Sequence, residues 1–357
     1  MTEYTANISP NHIHKFFKKD PEELLKSTLE KKYGSRYTNY RKRYYEYISK
    51  DVPDYEKVYD YPMSVILELV NRCNLQCVMC HQAWRNDSDK HTIDDKILDK
   101  LFQDFKENQL SCLMLSISEP LLYKNLPKIL KMTEEAEIMD VFLFTNGTLL
   151  NKEKSKMILE SNITRLFISI DALTSETYNK IRVPVSKRLK NSNRIIELEN
   201  NIKNFIKMKK DMKKLLPLTR TSFVALDNNS HEVKKFVNKW EQIVDSAEVQ
   251  RLTAIEGWDQ LKDSKNKNLI KKLKKYNCNE PMGQISVYSD GTVAPCCNTF
   301  GRNEPIGNVK NFTIKEIWLG KKMQEIRNGF KENNPGKVCQ ICIENSVSEE
   351  YNKAVIK

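Results

Sequence analysis

The chain has 357 residues, 39% hydrophobic and 30% charged, with nine cysteines and a formal net charge of +12. That is enough apolar material for one large domain and a smaller one, and no run approaches the roughly 18 uninterrupted apolar residues of a membrane span. The opening "MTEYTANISPNHIHKFFKKDPEELL" lacks the apolar centre of a signal peptide. A cytoplasmic location is therefore expected, where closely spaced cysteines bind metal or do chemistry rather than pair as disulfides.

Residues 1–60 read as a polar, helical N-terminal extension: "DPEELLKSTLEKKYG" opens on an Asp cap, and "SRYTNYRKRYYEYISK" is rich in Tyr and Arg. Short apolar runs follow at 64–70, 112–117, 140–146, 165–171, 218–226 and, more weakly, 246–253. Each has the length and texture of a buried strand. Helical patterns such as "TIDDKILDKLFQDFKEN" and "SNRIIELENNIKNFIKMKK" separate them. This alternation predicts a parallel sheet wrapped by helices over 61–260, as an incomplete barrel or an open doubly wound sheet. Polar side chains at the C-terminal ends of such strands form the site. Here those ends carry a cysteine triplet, "SEP", "TNGT" and "SIDA". From 261 the texture changes again: "SVYSDGTVAPC" reads as a β-hairpin turning at Asp290-Gly291, a helix "TIKEIWLGKKMQEIRNGF" follows, and "CQIC" comes next. A second, smaller domain is expected over 261–357.

The charge is uneven: +2 over 1–60, −3 over 61–180, +12 over 181–277 and +1 over 278–357. The lysine clusters "SKRLKNSNR", "KMKKDMKK" and "KNKNLIKKLKKY" read first as solvated faces and second as attraction for an anionic substrate. Nucleic acid is disfavoured, because no aromatic residues are interleaved as stacking platforms.

Three cysteines in eight residues, Cys73, Cys77 and Cys80 in "NRCNLQCVMCHQ", fall one short of a closed tetrahedral zinc site. They suit a 4Fe–4S cluster with one iron left open to another ligand. The spacing Cys-x3-Cys-x2-Cys closely resembles the signature of the radical S-adenosylmethionine (radical SAM) superfamily. "LSISEPLLYKNL", "TNGTLL" and "SIDALTSETYNKIR" resemble that family's motifs after the second, third and fourth strands. The resemblance implies a partial (β/α)6 barrel in which SAM chelates the open iron. It also implies reductive cleavage of SAM to a 5′-deoxyadenosyl radical, hydrogen abstraction from a substrate, and a flavodoxin- or ferredoxin-type electron donor. It assigns Ser118 and Glu119 to the turn that meets the SAM amine, with Ile117-Ser118 standing where two glycines are common. Asn146 belongs to the strand-3 motif, Ser169 and Asp171 face the ribose, and Met79 lies against the adenine. On charge grounds Arg182 and Arg220 are candidates for the SAM carboxylate.

A second cysteine set, Cys278, Cys296, Cys339 and Cys342, resembles the SPASM domain of such enzymes in its shorter, twitch form, with Gly291-x4-Cys296 on the hairpin. This implies one auxiliary 4Fe–4S cluster with four thiolate ligands, for electron relay or structural support. A structural zinc site has the same ligand types. Cys297 and Cys112 are candidate hydrogen donors to a substrate radical, set against the plainer readings of a spare thiol and a core residue. The segment before the first strand resembles radical SAM proteins of surface-polysaccharide and aminosugar pathways. The leading expectation is thus oxidation or epimerisation of a small polar substrate, carbohydrate-type, anionic or sugar-linked. Modification of a peptide or protein, and a non-catalytic iron–sulfur RNA-binding module, are the alternatives.

Overall fold

The computed structural model describes residues 13–16, 21–49, 53–83, 91–186, 193–251, 276–297, 302 and 304–346. The six expected strands are present as β2 (Ser64–Leu67), β3 (Cys112–Leu115), β4 (Asp140–Thr145), β5 (Arg165–Ser169), β6 (Leu218–Ala225) and β7 (Ser246–Arg251). They lie side by side in chain order, every neighbouring pair parallel. Helices α3 (Asp95–Glu107), α4 (Leu126–Glu135), α5 (Lys152–Glu160), α6 (Ser175–Ile181), α7 (Arg194–Asp211) and α8 (Val233–Trp240) fill the crossovers. Asp94, Asn151 and Thr174 cap α3, α5 and α6 by accepting backbone N–H groups, satisfying donors that a helix leaves open at its first turn.

Alternate strand residues divide two cores. Val65, Leu67, Leu113, Leu115, Val141 and Leu143 pack outward against the crossover helices. The opposite face meets α1 (Pro21–Tyr33) and α2 (Ser35–Ser49), where Leu25, Leu29, Tyr37 and Tyr40 pack on Met63, Cys112, Phe142 and Phe167. The N-terminal helices therefore act as a plug on the inner face of the sheet, at the level of the strands' N-terminal ends. Charges accompany the plug: Arg165, opening β5, donates to Glu22 of α1 and faces the buried Asp140.

Two features add to the sequence reading. The extension is not wholly helical, since β1 (Ile13–Phe16) pairs antiparallel with β7 at the sheet edge. The hairpin of the small C-terminal domain, present as expected, also joins this sheet. Its strands β8 (Gln284–Val287) and β9 (Thr292–Ala294) extend the main sheet, with β8 parallel to β2 from Ser64↔Gln284 to Leu67↔Val287. The two-residue β10 (Gly307–Asn308) ends a ten-stranded sheet. Four short helices complete the region: α9 (Glu280–Gly283), α10 (Ile314–Leu319), α11 (Lys321–Lys331) and α12 (Lys337–Ser346). The boundary expected near 260, and all of the cluster "KNKNLIKKLKKY" but Tyr276, lie outside the described residues. No helix among the described residues is long and apolar enough to cross a membrane.

Candidate active site

The loop after β2 carries the cysteine triplet and is stitched down by backbone hydrogen bonds. Asn71 N donates to His91 O at 2.7 Å, Gln76 N to Val183 O at 2.7 Å and Val78 N to Ile181 O at 3.0 Å. The loop thus lies along the chain leaving α6. Cys73, Cys77 and Cys80 share one small cluster with Leu75, Met79, Ile181, Val224 and Leu226. Met79 is buried there against the end of β6, an apolar lining suited to an adenine ring. Val224 and Leu226 belong to this lining and were not singled out from the sequence, where "SFVALDNN" reads only as a strand running into a turn.

Each cysteine sulfur has a nitrogen near it. Leu75 N donates to Cys73 Sγ at 3.4 Å and Asn146 Nδ2 to the same sulfur at 3.6 Å. Arg182 Nη1 donates to Cys77 Sγ at 3.4 Å, and His81 Nδ1 lies 3.9 Å from Cys80 Sγ. Burial, with Glu119 next, pushes the Cys73 thiol up to about 12, and burial outweighs Arg182 to raise Cys77. Coordination to a metal removes a thiol's proton outright. Among the described residues no three Cys, His, Asp or Glu side chains close on a common point. The fit to an iron–sulfur cluster rests on the donor set: three thiols on one loop, each with a nitrogen nearby.

The strand ends beside the triplet are held by buried carboxylates. Glu119, 1% exposed, accepts from Leu121 N, Thr145 Oγ1 and Asn146 N at 3.1, 2.8 and 2.8 Å. It joins the ends of β3 and β4. Burial raises its pKa against those three hydrogen bonds. The preceding turn puts Ile117 at φ 77°, a left-handed conformation that costs a β-branched residue. Ser118 is half-buried at the apex.

Several of the expected site residues have protein partners. Asn146 turns its amide to Cys73 and to Asn74 Oδ1, so it serves the cysteine loop. Asp171 is fully buried at φ 62°; its Oδ1 accepts from Val224 N at 2.6 Å and its Oδ2 pairs with Arg182. A ribose contact from this carboxylate requires that pairing to open; Ser169 is half-buried at the end of β5. Arg182 is engaged by Asp171 and Cys77, and Arg220 lies deeper inside the sheet, paired with Glu248 at 2.5 Å and 4.3 Å over the Phe167 ring. The SAM carboxylate thus finds neither arginine uncommitted. Cys112 opens β3 at the far end from the triplet, buried with Tyr40 and Met63, the reverse of what a hydrogen donor at the site needs. Asn229 and Glu232, both buried in "LDNNSHE", were also missed. Asn229 Nδ2 donates to Asp171 O at 2.9 Å, and Glu232 accepts from Leu173 N and Thr174 Oγ1 at 2.6 and 2.7 Å.

The second cysteine set gathers at the other end of the strands. Cys278 precedes α9, Cys296 follows β9, and Cys339 and Cys342 lie three residues apart on α12. Cys278 is within electrostatic reach of Cys339 and Cys342, and Cys297 of Cys296 and Cys342. Ser286 Oγ donates to Cys296 O at 2.8 Å, and the exposed Cys297 donates to Glu280 Oε2 at 3.6 Å. The N-terminal extension supports this corner: Tyr47 donates to Glu280 Oε1 at 3.0 Å, and the Tyr55 hydroxyl brackets the Cys278 backbone. Four thiols with a fifth alongside fit an iron–sulfur or zinc centre by ligand type. The described part of the basic region includes the end of α7, where Lys209 pairs with Asp245 at 3.0 Å and Lys210 is exposed.

The Radical SAM superfamily model matches residues 67–245, and that of the iron–sulfur cluster-binding SPASM domain matches 278–343. A probable GTP 3′,8-cyclase from Methanococcus maripaludis strain C5 is 32% identical over 117 residues, covering 33% of this chain and 39% of the relative. Its counterpart from Methanocaldococcus jannaschii is 28% identical over 118 residues, 33% of this chain and 39% of that one. The chain thus spans well under half the length of these curated relatives. Among solved structures, Streptococcus suis SuiB bound to S-adenosylmethionine superposes with a TM-score of 0.58 at 16% identity, over 82% of this chain and 73% of SuiB. anSMEcpe with bound AdoMet does so with 0.56 at 16% identity, over 83% and 98%. At these identities it is the fold that is shared. The triplet spacing, the motif-bearing strand ends and the matched residues together establish that the chain belongs to the radical SAM superfamily and carries a C-terminal SPASM iron–sulfur domain.

Proposed function

We propose that the protein abstracts hydrogen from a small polar, carbohydrate-type substrate held inside the sheet, leading to its oxidation or epimerisation, and that it works in the cytoplasm. SAM on a cluster at Cys73, Cys77 and Cys80 would supply one-electron reductive cleavage and hydrogen abstraction. A second cluster at Cys278, Cys296, Cys339 and Cys342 would take up or relay an electron.

The observation that carries the substrate reading is the layering of inward-facing residues. Strand register aligns Phe144, Phe167, Arg220 and Ser246 in one row and Ser169, Ser222 and Glu248 in the next. These rows lie between the apolar lining at Val224 and the plug at Phe142 and Leu218. Phe144, Met114 and Ser169 are only half-buried although they belong to central strands, as expected of residues lining an interior space. One wall is aromatic. The other offers a guanidinium, a carboxylate and hydroxyls, and Glu248 holds that wall near neutrality beside Arg220. Ring stacking plus paired donors and acceptors suits a hydroxylated ring better than a phosphate. Of the two candidate hydrogen donors Cys297 is the exposed one, beside Glu280, and both lie at the end of the strands away from the triplet.

The test is 5′-deoxyadenosine release from SAM by anaerobically reconstituted protein under dithionite, beside a Cys73→Ala/Cys77→Ala/Cys80→Ala variant. Release that the variant abolishes is expected. Transfer of deuterium from ring-labelled sugars or cyclitols into 5′-deoxyadenosine then decides the substrate class. No transfer from any of them, with transfer from a labelled peptide, refutes the carbohydrate reading.

A further inference from the structure

Glu68 follows β2 and is fully buried. Its carboxylate bridges two parts of the chain that are more than 170 residues apart. On one side Oε1 accepts from Ser118 Oγ at 3.0 Å. On the other, Oε2 accepts from Ser289 N at 3.1 Å and Ser289 Oγ at 2.9 Å. Ser118 is the apex of the turn after β3, strained at Ile117 and anchored behind by Glu119. Ser289 opens the turn of the β8–β9 hairpin, which runs on to Cys296 and is tied back to it by Ser286. The Glu68 backbone N also donates to Val287 O at 2.9 Å.

We propose that Glu68 is a positioning residue: it sets the Ser118 turn for SAM from the hairpin that leads to the auxiliary site, so that a change at Ser289 is felt in SAM affinity. The inference rests on the proposed role of the Ser118 turn. Its physical basis is that a buried carboxylate is retained only where its acceptors are filled. Removing the Ser289 hydroxyl takes away one of the two donors to Oε2, and the carboxylate so loosened is the one that accepts from Ser118. A left-handed Ile117 has no local preference for its conformation and depends on such restraint.

The experiment uses Ser289→Ala, Glu68→Gln and the double variant. Two quantities are read: the dissociation constant of radiolabelled SAM from reconstituted protein, and amide hydrogen exchange of residues 116–119 in the protein before reconstitution. Glu68→Gln is expected to weaken SAM binding about 5–30-fold, the equivalent of one to two buried hydrogen bonds. Ser289→Ala should weaken it about threefold or more, and the double variant should be no worse than Glu68→Gln alone. Exchange at 116–119 should quicken in Ser289→Ala, while 5′-deoxyadenosine release at saturating SAM stays within about twofold of wild type. Wild-type affinity and wild-type exchange in Ser289→Ala overturn the proposal, as does full additivity in the double variant. If Glu68→Gln fails to fold, Ser289→Ala decides alone. Faster exchange in a protein that binds no SAM upholds the Glu68 link and overturns the functional reading instead.

Discussion

Replacing Arg182 by Met separates two tasks that this guanidinium performs at once. It pairs with Asp171, which is fully buried, and it donates to Cys77 Sγ at 3.4 Å. Breaking a buried ion pair from one side costs about 3–5 kcal/mol, because the remaining charge is stranded. With an unfolding entropy of about 2.1 cal/mol/K per residue, a chain of 357 residues loses roughly 1.3 °C per kcal/mol, so Tm should fall by about 4–7 °C. An Asp171→Asn/Arg182→Met double variant strands no charge and keeps an acceptor for Val224 N, and most of that loss should return. The sulfur contact does not return. Hydrogen bonds to charged groups contribute about 1.5–3 kcal/mol; if near 1 kcal/mol of that distinguishes the reduced cluster from the oxidised, the midpoint falls by about 40 mV, at 59 mV per tenfold for one electron. The assay pairs thermal unfolding with an anaerobic EPR redox titration, in a Cys339→Ala/Cys342→Ala background so that only iron on the triplet is read. A potential that recovers together with Tm in the double variant, or an unchanged Tm in Arg182→Met, refutes the reasoning.

Two further outcomes follow from local geometry. Ile117→Gly should raise Tm by about 1 °C, since relief of a left-handed β-branched residue, about 1–2 kcal/mol, exceeds the entropy that glycine adds to the unfolded chain; a lower Tm would falsify the strain assigned to that turn. Burial raises the Glu22 carboxyl, but Arg165 and then Arg41 outweigh it and hold it down at about 2 against an ordinary 4.5. A depressed carboxyl stabilises the fold above about pH 4.5, and this contribution is lost as pH falls through 2. Its side chain is 30% exposed, so about 1–2 kcal/mol is expected after solvent screening. Glu22→Gln should therefore lower stability at pH 7 by that amount and flatten the acid limb of a urea-unfolding series between pH 4.5 and 2; a parallel limb in the two proteins rules out the pairing as its cause.

How much of this was legible in the sequence differs by element. Alternation of apolar runs and amphipathic stretches is a local property, so β2–β7 and their crossover helices could be read directly. So could the triplet, because three thiols at that spacing on one loop fit few other uses. Asp290-Gly291 likewise announced its turn: Gly291 takes φ 89°, and Tyr288 N bonds Thr292 O at 2.8 Å. What remained hidden was pairing at long range. Ile13–Phe16 is four residues with no alternation to mark it, and only β7 makes it a strand. The hairpin was visible but its neighbour was not, since nothing in "QISV" specifies β2 as the partner. In the sequence Arg220 is a candidate for the SAM carboxylate on charge alone, and the fold sets Glu248 beside it; Glu68 is one acidic residue in an apolar run, and the fold closes Ser118 and Ser289 on it. Spacing along a chain fixes periodicity and ligand sets. Which buried charge meets which partner depends on strand order and register, and those are decided by the packing of the whole sheet.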